Sequence, residues 1–359
     1  MPYKISGTKS ETSRIIVLKE SDWSIESNTV VSGSGSYEID SLEVGDKSVI
    51  ARTNDGEVAG YGFVAAEEYV PATGDRGIFA NHDLEINYIT ISTTGDATDF
   101  GDLSVNRVQF AACSNSVTGR GLFGGGGSYT NVIDYITILS TGDATDFGDL
   151  TITRSHLSAV SNGTNDRGVF GAGALQGSLS NVIDYVTIST TGNATDFGDL
   201  LVIYQARGHC SNAAGNRGLF GGGSYLALEN NIEYITISSL GNGTDFGDLL
   251  AGKSDPTGTS NNTNNRGIFA GGYTAINVIQ YVTITSKSNA QDFGDLSVVK
   301  FRAGACSNGT NERGCIGGGQ LTAGSTNVIE YITINSNGDA TDFGDLTVNT
   351  NYITGTSNA

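Results

Sequence analysis

The chain is short of the residues on which several protein classes depend. Only 3 of its 359 residues are proline, and its 51 glycines call for tight turns in a β protein, not for a collagen-like rod. Basic residues number 19 against 38 acidic ones, a formal charge of -19, so the phosphate-neutralising surface behind nucleic-acid affinity is missing. An anionic membrane would repel such a chain. Four cysteines (Cys113, Cys210, Cys306, Cys315) are too few for a disulfide framework at this length, and none stands in a CxxC pair that would suggest zinc. No apolar run approaches the roughly 18 residues of a membrane span, and MPYKISGTKSETSR has no signal-peptide core, so a soluble product of the cytoplasm is expected.

What the chain does have is a repeat. DFGDL begins at Asp99, Asp146, Asp196, Asp245, Asp292 and Asp342, at intervals of 47, 50, 49, 47 and 50 residues. That period suits one blade of a propeller, about 40 to 50 residues. Ahead of each copy come an Arg-Gly pair (Arg76, Arg120, Arg167, Arg217, Arg266, Arg313) and a strand-like segment with a tyrosine (Tyr88, Tyr135, Tyr185, Tyr234, Tyr281, Tyr331). In NVIDYITI, β-branched and aromatic residues place apolar groups on both faces, as expected of a strand sandwiched between neighbours. Segments such as TGDATD and GNGTD supply turns. Four short strands per unit follow, and the class is all-β.

Phasing on the basic residue gives units at 104–150, 151–200, 201–249, 250–296 and 297–346. Residues 75–103 hold only the last three strands of a unit, and the C-terminal TVNTNYITGTSNA matches the missing first one. The two ends are therefore expected to share a sixth, composite blade, which leaves no open sheet edge.

Between Arg107 and Phe147 stand RVQFAACSN, RGLFGGGG, TNVIDYITI and DATDF, in that order. Basic residue, glycine-ended strand, acidic-and-tyrosine strand and final aromatic make a unit that resembles a kelch repeat. The resemblance implies a six-bladed β-propeller over residues 71–359. Kelch units usually carry Trp at the last aromatic, whereas Phe147, Phe197, Phe246, Phe293 and Phe343 stand there and the single Trp is Trp23.

Residues 1–70 lack the repeat and read as short strands of a small β-sandwich, with the join near Pro71-Ala72-Thr73-Gly74. Their KISGT and SGSYEIDSLEVGDKSVIAR resemble carboxypeptidase-regulatory-like and immunoglobulin-like modules. Such a module ahead of DATDFGDL repeats is similar to structural proteins of bacteriophage virions. That resemblance implies a virion component in multiple copies, attached to other virion proteins through the N-terminal domain. Its propeller would engage a host cell-surface glycan or receptor. The alternative is a purely structural tail, collar or capsid component that cements neighbouring subunits.

The chemistry-bearing residues do not assemble an active site on paper. DFG occurs six times without the glycine-rich loop, strand lysine and HRD segment of a kinase. Kelch-type propellers include copper radical oxidases, but those need clustered His, Tyr and Cys, and His82, His156 and His209 fall in three different repeat contexts. Neither catalytic residues nor a metal or other cofactor is expected. Asp143, Asp146 and Asp149 and their relatives offer either calcium ligands or Asx-turns, with Asn193, Asn242 and Asn289 at the first position elsewhere. Recurrence of the Arg-Gly arginines beside DFGDL suggests an inter-blade bridge, such as Arg167 to a DFGD carboxylate. Cys113, Cys210 and Cys306 share a phase with Val160, Thr259 and Thr356, which reads as interchangeable small strand residues over a set of channel thiols. The segments after the glycine doublets vary most, and their aromatics Tyr129, Tyr225 and Tyr273 are the expected binding residues.

Overall fold

The computed structural model describes residues 75–357 apart from 116–118, 162–165, 213–215, 261–264, 274–275 and 309–311, and seven backbone strands before them. The chain separates into two units, Met1–Val70 and Pro71–Ala359. In the first, Ile25–Val31, Ser13–Lys19, Asp46–Thr53 and Val58–Ala65 form one antiparallel sheet in that order. Gly35–Leu42, Tyr3–Lys9 and Glu67–Glu68 form another. The face-to-face packing of a sandwich rests on side chains outside the described residues, as does Trp23.

The second unit is a six-bladed β-propeller, consistent with a kelch-like one, and all its described regular structure is strand. Blade 1 pairs Ala111–Ser114, Arg120–Gly124, Val132–Thr137 and Thr145–Asp149 as an antiparallel meander, and blades 2 to 5 repeat it. The sixth blade joins the two ends of the repeat region: Thr354–Ser357 pairs with Arg76–Ala80 in the register Thr354↔Ala80 to Ser357↔Gly77. Ile133 and Asp134, on opposite faces of one strand, are both fully buried, because each blade is covered by a neighbour on either side.

The recurrent residues are the stitches between blades. Each DFGDL phenylalanine is buried edge-on against its own blade's tyrosine, with ring centroids 6.0 Å apart for Tyr135 and Phe147. The glycine of the motif has no substitute: Gly148 sits at φ +147°, and a Cβ there would lie 2.5 Å from the Gly192 carbonyl oxygen of the next blade. The adjacent residue settles the question of the Asx positions. Asp143, Asn193, Asn242, Asn289, Asp339 and Asp96 each accept, through Oδ1, the backbone N–H of the last motif aspartate of the preceding blade, at 3.0 to 3.1 Å. An amide oxygen serves as well as a carboxylate, so Asp and Asn interchange. Among the described residues no cluster of three His, Cys, Asp or Glu is placed to hold a metal ion.

The arginines of the Arg-Gly pairs also bridge blades, but their acceptor differs from the expected carboxylate. Arg167 Nη1 donates to the Ile237 carbonyl at 3.0 Å, and the other five reach the equivalent carbonyls. Each guanidinium lies 4.3 to 4.8 Å from the ring centre of its own blade's tyrosine. That stacking aims it at the end of the next blade's third strand and away from the motif acids. The glycine beside it makes room for a side chain from the preceding blade: a Cβ on Gly168, Gly267 or Gly77 would lie 2.9, 2.5 and 2.5 Å from Sγ of Cys113, Cys210 and Cys306. Val160, Thr259 and Thr356 face Gly218, Gly314 and Gly121 in the same way. The thiols are thus packing groups between blades, and burial pushes that of Cys113 up to about 12.

A buried ion pair closes the first turn of most blades. Arg107 meets Asp134 at 2.6 Å, Arg154 meets Asp184 at 2.7 Å and Lys300 meets Glu330 at 2.7 Å, all essentially unexposed. In blade 3, Tyr204 stands at the basic position and Arg207, three residues on, reaches Glu233 at 2.7 Å instead. Acceptors of this set also take an N–H from the crossing between blades, as Glu330 does from Ser297 at 2.7 Å. Blade 4 breaks the pattern with Lys253 opposite Gln280, and the closing blade has the neutral Thr350 and Asn87.

Candidate functional site

Antiparallel meanders sort the connections between two faces. One face carries the loops between second and third strands together with the crossings that lead from each blade's last strand to the next blade's first. Just before each innermost strand the crossing turns through one residue in the left-handed region: Gln109 (φ 59°), His156 (52°), Ala206 (56°), Asp255 (52°), Arg302 (58°) and Tyr352 (50°). Glycine would hold this conformation without cost, whereas an L-residue costs roughly 1–2 kcal/mol. Yet no position is glycine, and the six residues are of six different types.

These six residues surround the mouth of the central channel. They line a depression of about 90 Å³, and all are half-buried. Backbone bonds join five of them in an arc, His156 N–H donating to Gln109 O at 2.8 Å, Ala206 to His156 at 3.1 Å, Asp255 to Ala206 at 2.8 Å and Arg302 to Asp255 at 3.1 Å. The side chains add polar groups to this arc. Arg302 Nε lies 3.3 Å from Asp255 Oδ1, its Nη1 donates to Gln320 Oε1 at 2.8 Å, and its guanidinium lies 4.2 Å from the Tyr352 ring centre. Burial pushes the His156 imidazole down, Asp255 opposes that and Arg302 reinforces it, so the ring is neutral at pH 7 and offers one donor and one acceptor.

On the innermost strands the equivalent position is Ala112, Ala159, Gly258, Ala305 and Gly355 in blades 1, 2, 4, 5 and 6 and His209 in blade 3. His209 borders both the mouth and a second chamber of about 110 Å³. Burial pushes its pKa down to about 4, so it too is neutral at pH 7. The far chamber is ringed by Ser114, Ser161, Ser211, Ser260, Ser307 and Ser357. Their hydroxyls donate to the backbone carbonyl of the preceding blade's serine in five links that run from Ser307 round to Ser357.

The three expected tyrosines lie on the mouth's face but not at the mouth itself. Tyr129 and Tyr225 come together on one outer groove of about 590 Å³, whereas Tyr273 packs edge-on against Phe301, 5.3 Å away, beside Arg302. The mouth residues escaped sequence reasoning, although a signal was present. Two places after the basic position the residue changes type in every unit, in a segment where the next residue (Phe110, Leu157, Arg207, Pro256, Ala303, Ile353) does so too.

A scan of protein-family models and a search of curated proteins found no match to this chain.

Proposed function

We propose that this chain is a non-enzymatic binding component of a bacteriophage virion, attached to neighbouring virion proteins through residues 1–70 and recognising a host-surface glycan or receptor with the propeller. The virion assignment rests on the sequence resemblance. Recognition at the channel mouth is supported by one observation: in a scaffold whose Phe–Tyr, glycine, Asx and Arg-Gly stitches recur in all six blades, the six left-handed mouth residues are all different and keep side chains at a conformational cost. Sites of this kind are concave and fix a ligand with a few well-placed polar groups, here those of Gln109, His156, Asp255, Arg302 and Tyr352.

The test is binding of the labelled full chain to cells of a susceptible host, beside Arg302→Ala and Asp255→Ala. Saturable binding that falls at least tenfold in both variants is the expected result. Binding unaffected by either substitution would remove the mouth from the reading. Binding to other virion proteins and none to cells would replace receptor recognition with cementing of the particle.

A further inference from the structure

The face around the mouth is built up on one side. The loop of blade 2 between Gly171 and Val182 is long enough to hold its own hairpin, Ala174–Leu175 with Ser178–Leu179, whereas only Asn81–Leu84 separate the corresponding strands of blade 6. Blades 1 to 3 together enclose the outer groove, lined by Tyr129, Leu175, Leu179, Ile203, Gln205 and Tyr225 among others. Tyr129 is presented by a loop with two successive non-glycine residues in the left-handed region, Ser128 (φ 68°) and Tyr129 (53°). Tyr225 is 61% exposed and its neighbour Leu226 89%. The groove adjoins the mouth directly, because Gln205 lines the one and Ala206 the other.

From this juxtaposition we infer that groove and mouth are two subsites for one uncharged oligosaccharide, a proposal that rests on the binding role assigned to this face. Among the described residues the groove lining contains no Asp, Glu, Lys, Arg or His. In the mouth, Arg302 is matched by Asp255, and Arg207, which also lines it, is matched by Glu233. Neither subsite therefore has net charge to offer an acidic sugar, and a chain of net charge -19 repels one. What the two subsites do offer fits a pyranose. Tyrosine rings present flat apolar surface with a polar rim, against which the C–H face of a sugar stacks. The adjacent carboxylate and guanidinium in the mouth supply the acceptor and donor that vicinal hydroxyls require. One sugar unit sits over the Asp255–Arg302 pair at the mouth, and the next units run outward over Gln205 to the tyrosines.

The experiment uses the full chain on an array of neutral and acidic oligosaccharides from one to six units, followed by titration calorimetry with the best neutral oligosaccharide and its terminal monosaccharide. Tyr129→Ala and Tyr225→Ala are expected to weaken the oligosaccharide about tenfold and the monosaccharide less than twofold. Tyr225→Phe retains the stacking ring and should stay within threefold of the parent. Arg302→Ala should weaken both ligands. A preference for acidic sugars, or oligosaccharide binding indifferent to both alanine variants, overturns the two-subsite proposal and leaves binding at the mouth standing. No binding to any sugar overturns both the proposal and the glycan reading beneath it.

Discussion

Blade 4 contains an error that the other blades correct, and repairing it should stabilise the protein. Lys253 is 1% exposed, and its Nζ has no hydrogen-bond partner among the described residues. Opposite it, Gln280 is fully buried, accepts the Leu250 N–H at 2.8 Å through Oε1 and leaves Nε2 unpartnered. Two buried donors thus share a site where blade 5 sets Lys300 against Glu330 at 2.7 Å. Burial pushes Lys253 down from 10.5 to about 8. At about 1.4 kcal/mol per pH unit, holding this ammonium in the fold at pH 7 costs about 3 kcal/mol.

Gln280→Glu keeps the shape of the side chain and puts a carboxylate oxygen where Nε2 stands. Desolvation of the new charge offsets part of the gain, so a net stabilisation of about 1–2 kcal/mol is expected from urea unfolding of the propeller transition at pH 7. The pH profile is the sharper readout. The folded pKa of Lys253 lies below the unfolded one, so between pH 8 and 10.5 the unfolded chain holds more protons and the parent's stability rises with pH. In the Gln280→Glu variant that rise should vanish or reverse. A destabilised variant, or one whose alkaline profile matches the parent's, would refute the account of this site. Glu330→Gln reproduces the fault in blade 5 and should cost about 3–5 kcal/mol, because it strands Lys300.

Four further outcomes concern the stitches, the closing blade and His209. Gly148→Ala should lower propeller stability by about 2–4 kcal/mol in urea unfolding, since its Cβ meets the Gly192 carbonyl. Gly142→Ala, at a φ of +151° with nothing within 4 Å, meets backbone strain but no clash and should cost less than Gly148→Ala, about 1–3 kcal/mol. Deleting 351–359 uncovers the edge of Arg76–Ala80, and size-exclusion chromatography should then show self-association or loss of the folded monomer. For His209, whose folded pKa of about 4 lies below its ordinary 6.5, the unfolded chain gains its proton first as pH falls. Stability should therefore drop by at most about 3 kcal/mol from pH 6.5 to 4, and His209→Ala should remove that drop.

Most of the propeller could be read from residues that perform one task six times. Blade count, phase and the shared last blade follow from DFGDL and from the unpaired first strand at the C-terminus, because closure demands a partner for Arg76–Ala80. The role of the Asx residues was half legible: a turn residue is visible in TGDATD, but its acceptor bond to the preceding blade crosses 41 residues in the case of Asp143. The partner of Arg167 was not legible at all, since a backbone carbonyl leaves no trace in composition. Arg207 shows the limit of phasing, for its guanidinium fills the place of a basic residue that the sequence puts three positions earlier.

Departures from six-fold regularity carry different meanings, and their surroundings tell them apart. Where a stitch is altered inside the fold, its partner changes too: Thr350 stands with Asn87, which accepts the Thr347 N–H at 3.0 Å, and both cation and acid are absent together. Lys253 and Gln280 show the same replacement half made, and its cost is borne within blade 4. At the mouth Arg302 contacts Asp255, Gln320 and Tyr352, whereas the turn itself is indifferent to residue type. Gln109, His156, Ala206, Asp255, Arg302 and Tyr352 all hold the same left-handed turn, so the turn does not require any one of these side chains. A position that keeps a side chain where glycine would be less strained, and that faces an open depression, is where the proposed recognition is to be tested first. Asp255 and Arg302 therefore come ahead of the exposed tyrosines as the first residues to mutate, because the tyrosines stand on loops whose lengths already vary from blade to blade.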